Sequence, residues 1–188
     1  MRRSPDSAAA HKTWREERDR LFRNHSASPI ASAGRDQFSG LEYFEYDPAW
    51  RTIVQVKPLK GESIRVDLGA DGEFRFCPVA ATSGLSAMIE TELTIYRIEG
   101  YGGGIFLPFA DATSGDQTFG GGRYLYDTIK GAELGALGNS IIVDFNFAYN
   151  PSCSYSAEWV CPLAPEENRV SKAIHAGERG QVRGPNIS

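Results

Sequence analysis

The 188-residue chain is poor in the residues that most often do metal and nucleophilic chemistry. It has three cysteines and three histidines. His11, His25 and His175 all sit in polar stretches toward the termini. There is no Gly-x-Ser-x-Gly elbow and no His-Glu-x-x-His, so neither a nucleophile triad nor a zincin site is indicated. Cys153 and Cys161 are too far apart in sequence for a zinc knuckle. A four-ligand set would need Cys77 and His175 brought to them by the fold, so no metal is expected. No apolar run approaches the ~20 residues needed to span a bilayer. No apolar stretch follows Arg2-Arg3, so no export signal is read there. The expectation is a cytoplasmic protein with reduced thiols and no membrane partner. Positive charge is also short: the net charge is −4, which disfavours a general nucleic-acid binder.

Glycine and aromatic residues are plentiful, and 41% of the chain is hydrophobic. That supports one domain with a sizeable core. The charge is uneven: residues 1–25 carry +3, and the remainder carries −7. Residues 1–10 read as a disordered tail and 11–188 as one β-rich domain. Thr13-Trp14-Arg15-Glu16 has capping-box spacing and predicts a helix over about 13–24. Arg15–Asp19, Glu16–Arg20 and Asp19–Arg23 are opposite-charge pairs at i,i+4. Trp14, Leu21 and Phe22 form a narrow apolar stripe, as in a helix that clasps a body. Ser28-Pro29 ends it. The aromatic-rich stretch 38–50 reads as an irregular extended segment, serving as core or lid packing or as a ligand-stacking surface.

Strands are expected over about 52–149. Thr52–Val56 is β-branched, and Ser63–Leu68 and Glu73–Phe76 alternate around a Gly69–Gly72 turn. Ala87–Ile98 reads as one long strand. After a glycine turn at 100–104, Ile105–Phe109 carries Pro108, which demands an edge or a bulge. Asp111–Asp116 is a turn cluster. Arg123–Ile129 and Ser140–Tyr149 are strands separated by a glycine-rich loop. Pro-punctuated coil fills most of 150–188, with a short strand at Val170–Ile174. The fold class is mainly β: an antiparallel barrel or sandwich with one N-terminal helix.

The mixed face of Ser140–Tyr149 carries the functional reading. Ile141, Val143, Phe145, Phe147 and Tyr149 would face the core. Asp144, Asn146 and, beyond them, Asn150 would share the other side, either as an ordinary solvent face or as a pocket wall. Arg123 could pair with Asp144 or Asp111, or grip a ligand carboxylate. The expected ligand site is therefore a polar pocket between 123–129 and 140–149, using Arg123, Tyr124, Tyr126, Asp144, Asn146 and Asn150. A small molecule is the expected partner, and no cofactor is expected. The alternatives are a carboxylate-dependent hydrolase or isomerase using Asp111 or Glu167 as acid or base, and a pocketless interaction scaffold using the basic helix. Gly120-Gly121-Gly122-Arg123 fits neither a Walker nor a dinucleotide pattern, because it leads into a strand. A tight turn accounts for it.

Several stretches resemble a known family. They are Trp14–Asp19 with Ser28-Pro29, Phe38–Phe44, Phe106–Gly115, and Gly121–Leu125. The closing run Asp144–Pro151, with Cys153, Cys161-Pro162 and Glu167-Asn168-Arg169, is the most specific. Together they resemble the domain of unknown function 1684 family of bacteria and archaea, over about residues 12–179. The resemblance implies one compact domain and carries no activity, cofactor or catalytic residue. Some members carry lipoprotein-type signals, which are not seen here, so the family's cysteine pair need not be bridged.

Overall fold

The computed structural model describes residues 4–67, 72–99, 104–127, 136–137 and 139–180. The first element is helix α1, Ser7–Asn24. It starts earlier than the capping box suggests. Asp6 is the N-cap, its carboxylate accepting from the Ala9 amide at 2.9 Å, and three alanines then extend the helix at little entropic cost. Thr13 lies inside the helix and donates back to the Ala9 carbonyl. Residues 7–10 are therefore helical, not tail. The buried stripe also differs from expectation. Ala10 and His11 are buried, while Leu21 is 47% exposed. Asp19 accepts from the Leu41 amide, and Arg20 pairs with Glu17.

Among the described residues eight strands form one antiparallel sheet: β1 (Arg51–Pro58), β2 (Ile64–Asp67), β3 (Glu73–Ser83), β4 (Thr94–Glu99), β5 (Gly104–Phe109), β6 (Arg123–Asp127), β7 (Ala136–Leu137) and β8 (Ser140–Asp144). Their order is β6-β5-β4-β3-β1-β8-β7, with β2 added to β3. The sheet curls into a half-barrel. Its curl brings Tyr124 of β6 against Tyr149, just beyond β8, through a pair of backbone hydrogen bonds of 2.8 and 3.0 Å. One apolar cluster lines the hollow, from Val54, Ile95 and Leu107 to Val143 and Phe147. A second, aromatic cluster joins Phe76, Tyr96, Phe106, Tyr124 and Tyr149. Both exclude water from the concave side.

Two expected strands are shorter than their alternation suggests. The stretch Ala87–Ile98 begins instead as a single helical turn, α2 (Ser86–Ile89). Glu90 then takes φ of +67°, and β4 starts at Thr94. The cause is Glu92, whose carboxylate gathers the amides of Gly84, Leu85 and Ser86 and the Thr82 hydroxyl. The second is Ser140–Tyr149, where β8 stops at Asp144 and a 3-10 turn covers Phe145–Phe147. Asp144 caps that turn by accepting from the Asn146 amide. The Val170–Ile174 strand is not formed; that segment is coil, tied to Ala110 by a 2.8 Å bond from the Val170 amide. Pro108 sits at a bulge between Leu107 and Pro108, inside the strand order rather than at an edge. The expected turns at Gly69–Gly72 and Gly100–Gly104, the glycine-rich loop, the end of Arg123–Ile129 and the last eight residues lie wholly or mostly outside the described residues.

Candidate functional site

Arg123 opens β6 and is fully buried. The turn before it is tight. Gly122 donates to the Phe119 carbonyl, takes φ of +91°, and a Cβ there would lie 2.5 Å from the Phe109 oxygen. That geometry aims the guanidinium at the C-terminal coil. It donates to the carbonyls of Ile174, Ala176 and Glu178, and at 2.8 Å to Asp111. Burial lowers its affinity for the proton, and Asp111 opposes that. The other Asp111 oxygen accepts from the Thr113 amide, the Thr113 hydroxyl and the Ile174 amide. Arg123 and Asp111 are thus brought together as expected, but as a closed ion pair holding coil backbone.

Asp144 and Asn146 are also buried, at 0% and 1% exposure. The register of β1 against β8 sets Arg51 opposite Asp144, and the two side chains meet at 3.0 Å. Asn146 accepts from the Asp47 amide at 3.0 Å and donates to the Asp47 carbonyl at 2.8 Å, copying one rung of a β-ladder. Asn150 joins a different cluster. Its amide and that of Leu41 tie chain to carboxylates, Asn150 to Glu178 and Leu41 to Asp19. Its side chain donates to the Arg179 carbonyl. The hydroxyl of Tyr124 donates to the Pro162 carbonyl, and that of Tyr126 to the Ile142 carbonyl. Every residue from Ile141 to Pro151 is buried. The face expected to line a pocket between β6 and β8 is therefore packed on both sides, because the strand's period-two pattern is broken at the Asp144 cap. Glu167 is exposed and accepts from Tyr96 at 2.7 Å. Burial and that carboxylate both push the Tyr96 phenol above its ordinary range.

Several organising residues gave no local signal. Arg18 of α1 donates to Tyr43 at 3.0 Å and to the buried Glu178 at 2.6 Å. Burial pushes the Glu178 carboxyl up, against the pull of Arg18. Asn168 accepts from the Thr94 amide and donates to the Thr94 and Pro108 carbonyls, all within 2.7–2.9 Å. His11 lies among Trp14, Tyr43, Tyr46 and Phe147. Burial, with Arg15 adding to it, lowers its pKa to about 4. Cys153 and Cys161 meet at the surface, where the Cys153 amide lies 3.4 Å from the Cys161 sulfur. Cys77 is buried in β3 beside Arg97. Among the described residues no group of three His, Cys, Asp or Glu side chains is placed to hold a metal ion. No described helix is long and apolar enough to cross a membrane.

What the Asp144–Asn146 network builds is a rim. It fixes Asp47 to Arg51, the segment that enters β1 through a 3-10 turn at Pro48–Trp50. Between that segment, α2 and Lys172 lies a cleft of about 510 Å³ at one end of the half-barrel. Trp50 and Met88 give it apolar walls that continue the core cluster. Asp47, Thr52 and Lys172 supply polar groups. The Lys172 ammonium donates to the Met88 carbonyl at 2.8 Å and lies 3.9 Å from the exposed Glu90.

The family described as "Protein of unknown function (DUF1684)" matches residues 36–179. The solution NMR structure of the uncharacterised protein from gene locus rrnAC0354 of Haloarcula marismortui is similar, with 32% sequence identity and a TM-score of 0.64. The match covers 95% of this chain and 97% of that one. No curated protein matches. The chain belongs to the family of unknown function DUF1684.

Proposed function

We propose that this protein binds a small organic molecule at the end of the half-barrel, in the cleft between Trp50, Met88 and Lys172. The observation that carries the reading is the composition and place of the cleft. Apolar walls continuous with the core, a few polar groups, and a volume of about 510 Å³ fit a small-molecule site at a barrel mouth. The ligand would have an apolar body against Trp50 and Met88 and a charged or hydrogen-bonding head toward Lys172 and Asp47. Arg123, Tyr124, Tyr126 and Asn150 enter this reading as scaffold, and Asp144 and Asn146 as positioning residues for the rim.

Binding is favoured over carboxylate catalysis because Asp111 spends both oxygens on internal donors and Glu167, which accepts from Tyr96, does not line the cleft, and a general base must reach the proton it abstracts. It is favoured over a pocketless scaffold because Arg18, the best-held cation of the basic helix, is committed to Glu178. Native and denaturing mass spectra of the purified protein test the reading. A small-molecule adduct is expected in the native spectrum of the wild type and lost in Trp50→Ala and Lys172→Ala. An adduct that survives both substitutions, or no adduct in wild type, overturns it.

A further inference from the structure

The loop from Ser152 to Pro162 takes no part in the barrel-end cleft or in the network around Arg123. Its two cysteines stand eight residues apart, and the chain folds back between them. A 3-10 turn at Ser152–Ser154 begins the return. The amides of Ser154, Tyr155 and Ser156 donate to the carbonyls of Pro151 and Ser152, and that of Trp159 to Ser156. The Cys153 amide then donates to the Cys161 sulfur at 3.4 Å. The N–Cα bond adds about 1.5 Å, so that sulfur lies within about 5 Å of the Cys153 Cα. Bridged cysteines have Cα atoms roughly 4.4–6.8 Å apart, with each sulfur between them, so this is bridging range.

Both cysteines are half-buried, within reach of a soluble reagent. Cys77, by contrast, is buried in β3 against Arg97. The base of the loop is anchored on both sides. Pro151 and Pro162 are buried, the Pro162 carbonyl accepts from the Tyr124 hydroxyl, and the Ala164 amide donates to Gly121. Tyr155 packs edge-on against Phe22 of α1, with ring centroids 4.8 Å apart. The tip is held differently. Residues 157–160 are exposed, Trp159 and Val160 among them. Among the described residues no backbone hydrogen bond joins that tip to the body, and the Trp159 amide reaches only Ser156.

Two cysteines so placed can exchange with a low-molecular-weight disulfide. One protein thiolate attacks a sulfur of that disulfide, forming a mixed disulfide and expelling a small thiolate. The second protein thiolate attacks the protein-bound sulfur and expels the other. Two protein thiols and one small disulfide thus become one protein disulfide and two small thiols, with the two protons passing to the departing thiolates. The second displacement is intramolecular across a short loop, so the mixed disulfide does not accumulate. The bond closes residues 153–161 into a ring and removes conformations from the unfolded chain. Reducing conditions reverse the exchange and restore both thiols.

We propose that Cys153 and Cys161 form a reversible disulfide that, under oxidising conditions, fastens the loop bearing Tyr155 and Pro162 onto α1 and β6. The test equilibrates the full chain in glutathione buffers from fully reduced to fully oxidised, quenches with acid, alkylates the unfolded protein and maps its peptides by mass. A Cys153–Cys161 cross-link, two hydrogens lighter than the dithiol, should grow with glutathione disulfide and vanish on return to excess glutathione. Cys77 should stay a thiol throughout. Cys153→Ser should instead carry glutathione on Cys161. The oxidised wild type should melt about 5 °C above the reduced form, and the variant with both Cys153→Ser and Cys161→Ser should melt alike in both buffers. No cross-link at the oxidised end, a cross-link through Cys77, persistent glutathione on both loop cysteines, failure to reverse, or a cross-link that leaves the melting temperature unchanged overturns the proposal.

Discussion

Lowering the pH from 7 to 4 should weaken this protein through His11. The imidazole is 2% exposed and ringed by Trp14, Tyr43, Tyr46 and Phe147, with centroids 5.1–6.0 Å away. Its Nε2 is buried with no partner among the described residues. Burial disfavours the charged form, Arg15 disfavours it further, and a hydrogen bond with the Asn146 backbone opposes both. The net result is a fall from 6.5 to about 4. The sign follows from linkage: between those values the unfolded chain binds the proton and the native state does not, so stability falls as pH falls. The contribution is complete above about 6.5, declines through the gap, and levels off below about 4. Each pH unit across the gap is worth about 1.4 kcal/mol, giving a loss of about 3 kcal/mol.

Urea unfolding at closely spaced pH values, on wild type and His11→Met, measures this. Replacing the ring with an apolar, non-titrating side chain changes the baseline, but the pH slope is the readout. Arg15, Tyr43 and Tyr46 face His11 in both proteins. Glu178, linked to Tyr43 through Arg18, is present in both proteins and cancels in the difference. The wild type should lose about 3 kcal/mol more than the variant between pH 7 and 4. Carbon–proton correlation NMR should show one of the three histidines titrating near 4. Parallel pH curves for the two proteins, or a His11 signal, identified by its loss in the variant, that titrates near 6.5, would refute the reasoning.

Three further outcomes can be checked on the same footing. Asp111→Asn and Arg123→Met should each cost about 3–5 kcal/mol in urea unfolding, because each strands a buried charge. The double variant should cost clearly less than their sum, and strict additivity would show that the pair does not interact. Glu92→Gln should cost about 1–3 kcal/mol. Burial works against the Glu92 carboxylate, yet its bonds with Thr82, Ser86 and Gly84 outweigh that and hold its pKa down to about 2. Its stabilisation is thus present above about 4.5 and lost as pH falls toward 2, below the His11 window; thermal melts that lose it above pH 5 would contradict this. Gly122→Ala, at φ of +91° and with a Cβ 2.5 Å from the Phe109 oxygen, should cost about 1–3 kcal/mol. Gly115→Ala, at φ of +89° with open space around it, should cost less; equal losses would argue against a packing clash.

The fold was legible where one face met water and the other met the core. Ser63–Leu68 and Glu73–Phe76 alternate cleanly, and Ile64–Asp67 does pair with Glu73–Phe76 residue for residue. It was illegible where a side chain stood in for backbone. Alternation runs on through Ile141–Tyr149 although the strand ends at Asp144, because both sides of that stretch are buried and apolar identity stops reporting on the period. The Asp144-x-Asn146 spacing was the available signal, since an Asp accepting from the amide two residues on is a turn device. Glu92 gave the same kind of false extension to Ala87–Ile98. The Arg123–Asp111 contact was among the expected pairings, and Arg51–Asp144 was not, since it depends on β1 lying beside β8. Arg18 and Glu178 lie 160 residues apart, and nothing local links them.

This pattern bears on how the family's most specific residues should be understood. The chain from Asn150 to Gly180 contains no strand, so it has no ladder with which to satisfy its own amides and carbonyls. Buried backbone groups must still find partners. Some are met by backbone, as where the Val170 amide donates to the Ala110 carbonyl, and side chains supply others: Arg123 for the carbonyls of Ile174, Ala176 and Glu178, Asn150 for the Arg179 carbonyl, and Asp111 for the Ile174 amide, while Asn168 of the coil serves the Thr94 and Pro108 carbonyls of the sheet. A coil packed over a half-barrel needs these residues whether or not the protein binds anything. A buried Arg, Asp or Asn in this fold is therefore weak ground for a catalytic assignment. The more informative residues line the cleft at the barrel end, where Trp50 and Met88 extend the core's apolar surface and the Lys172 ammonium keeps donors beyond the one it gives to Met88.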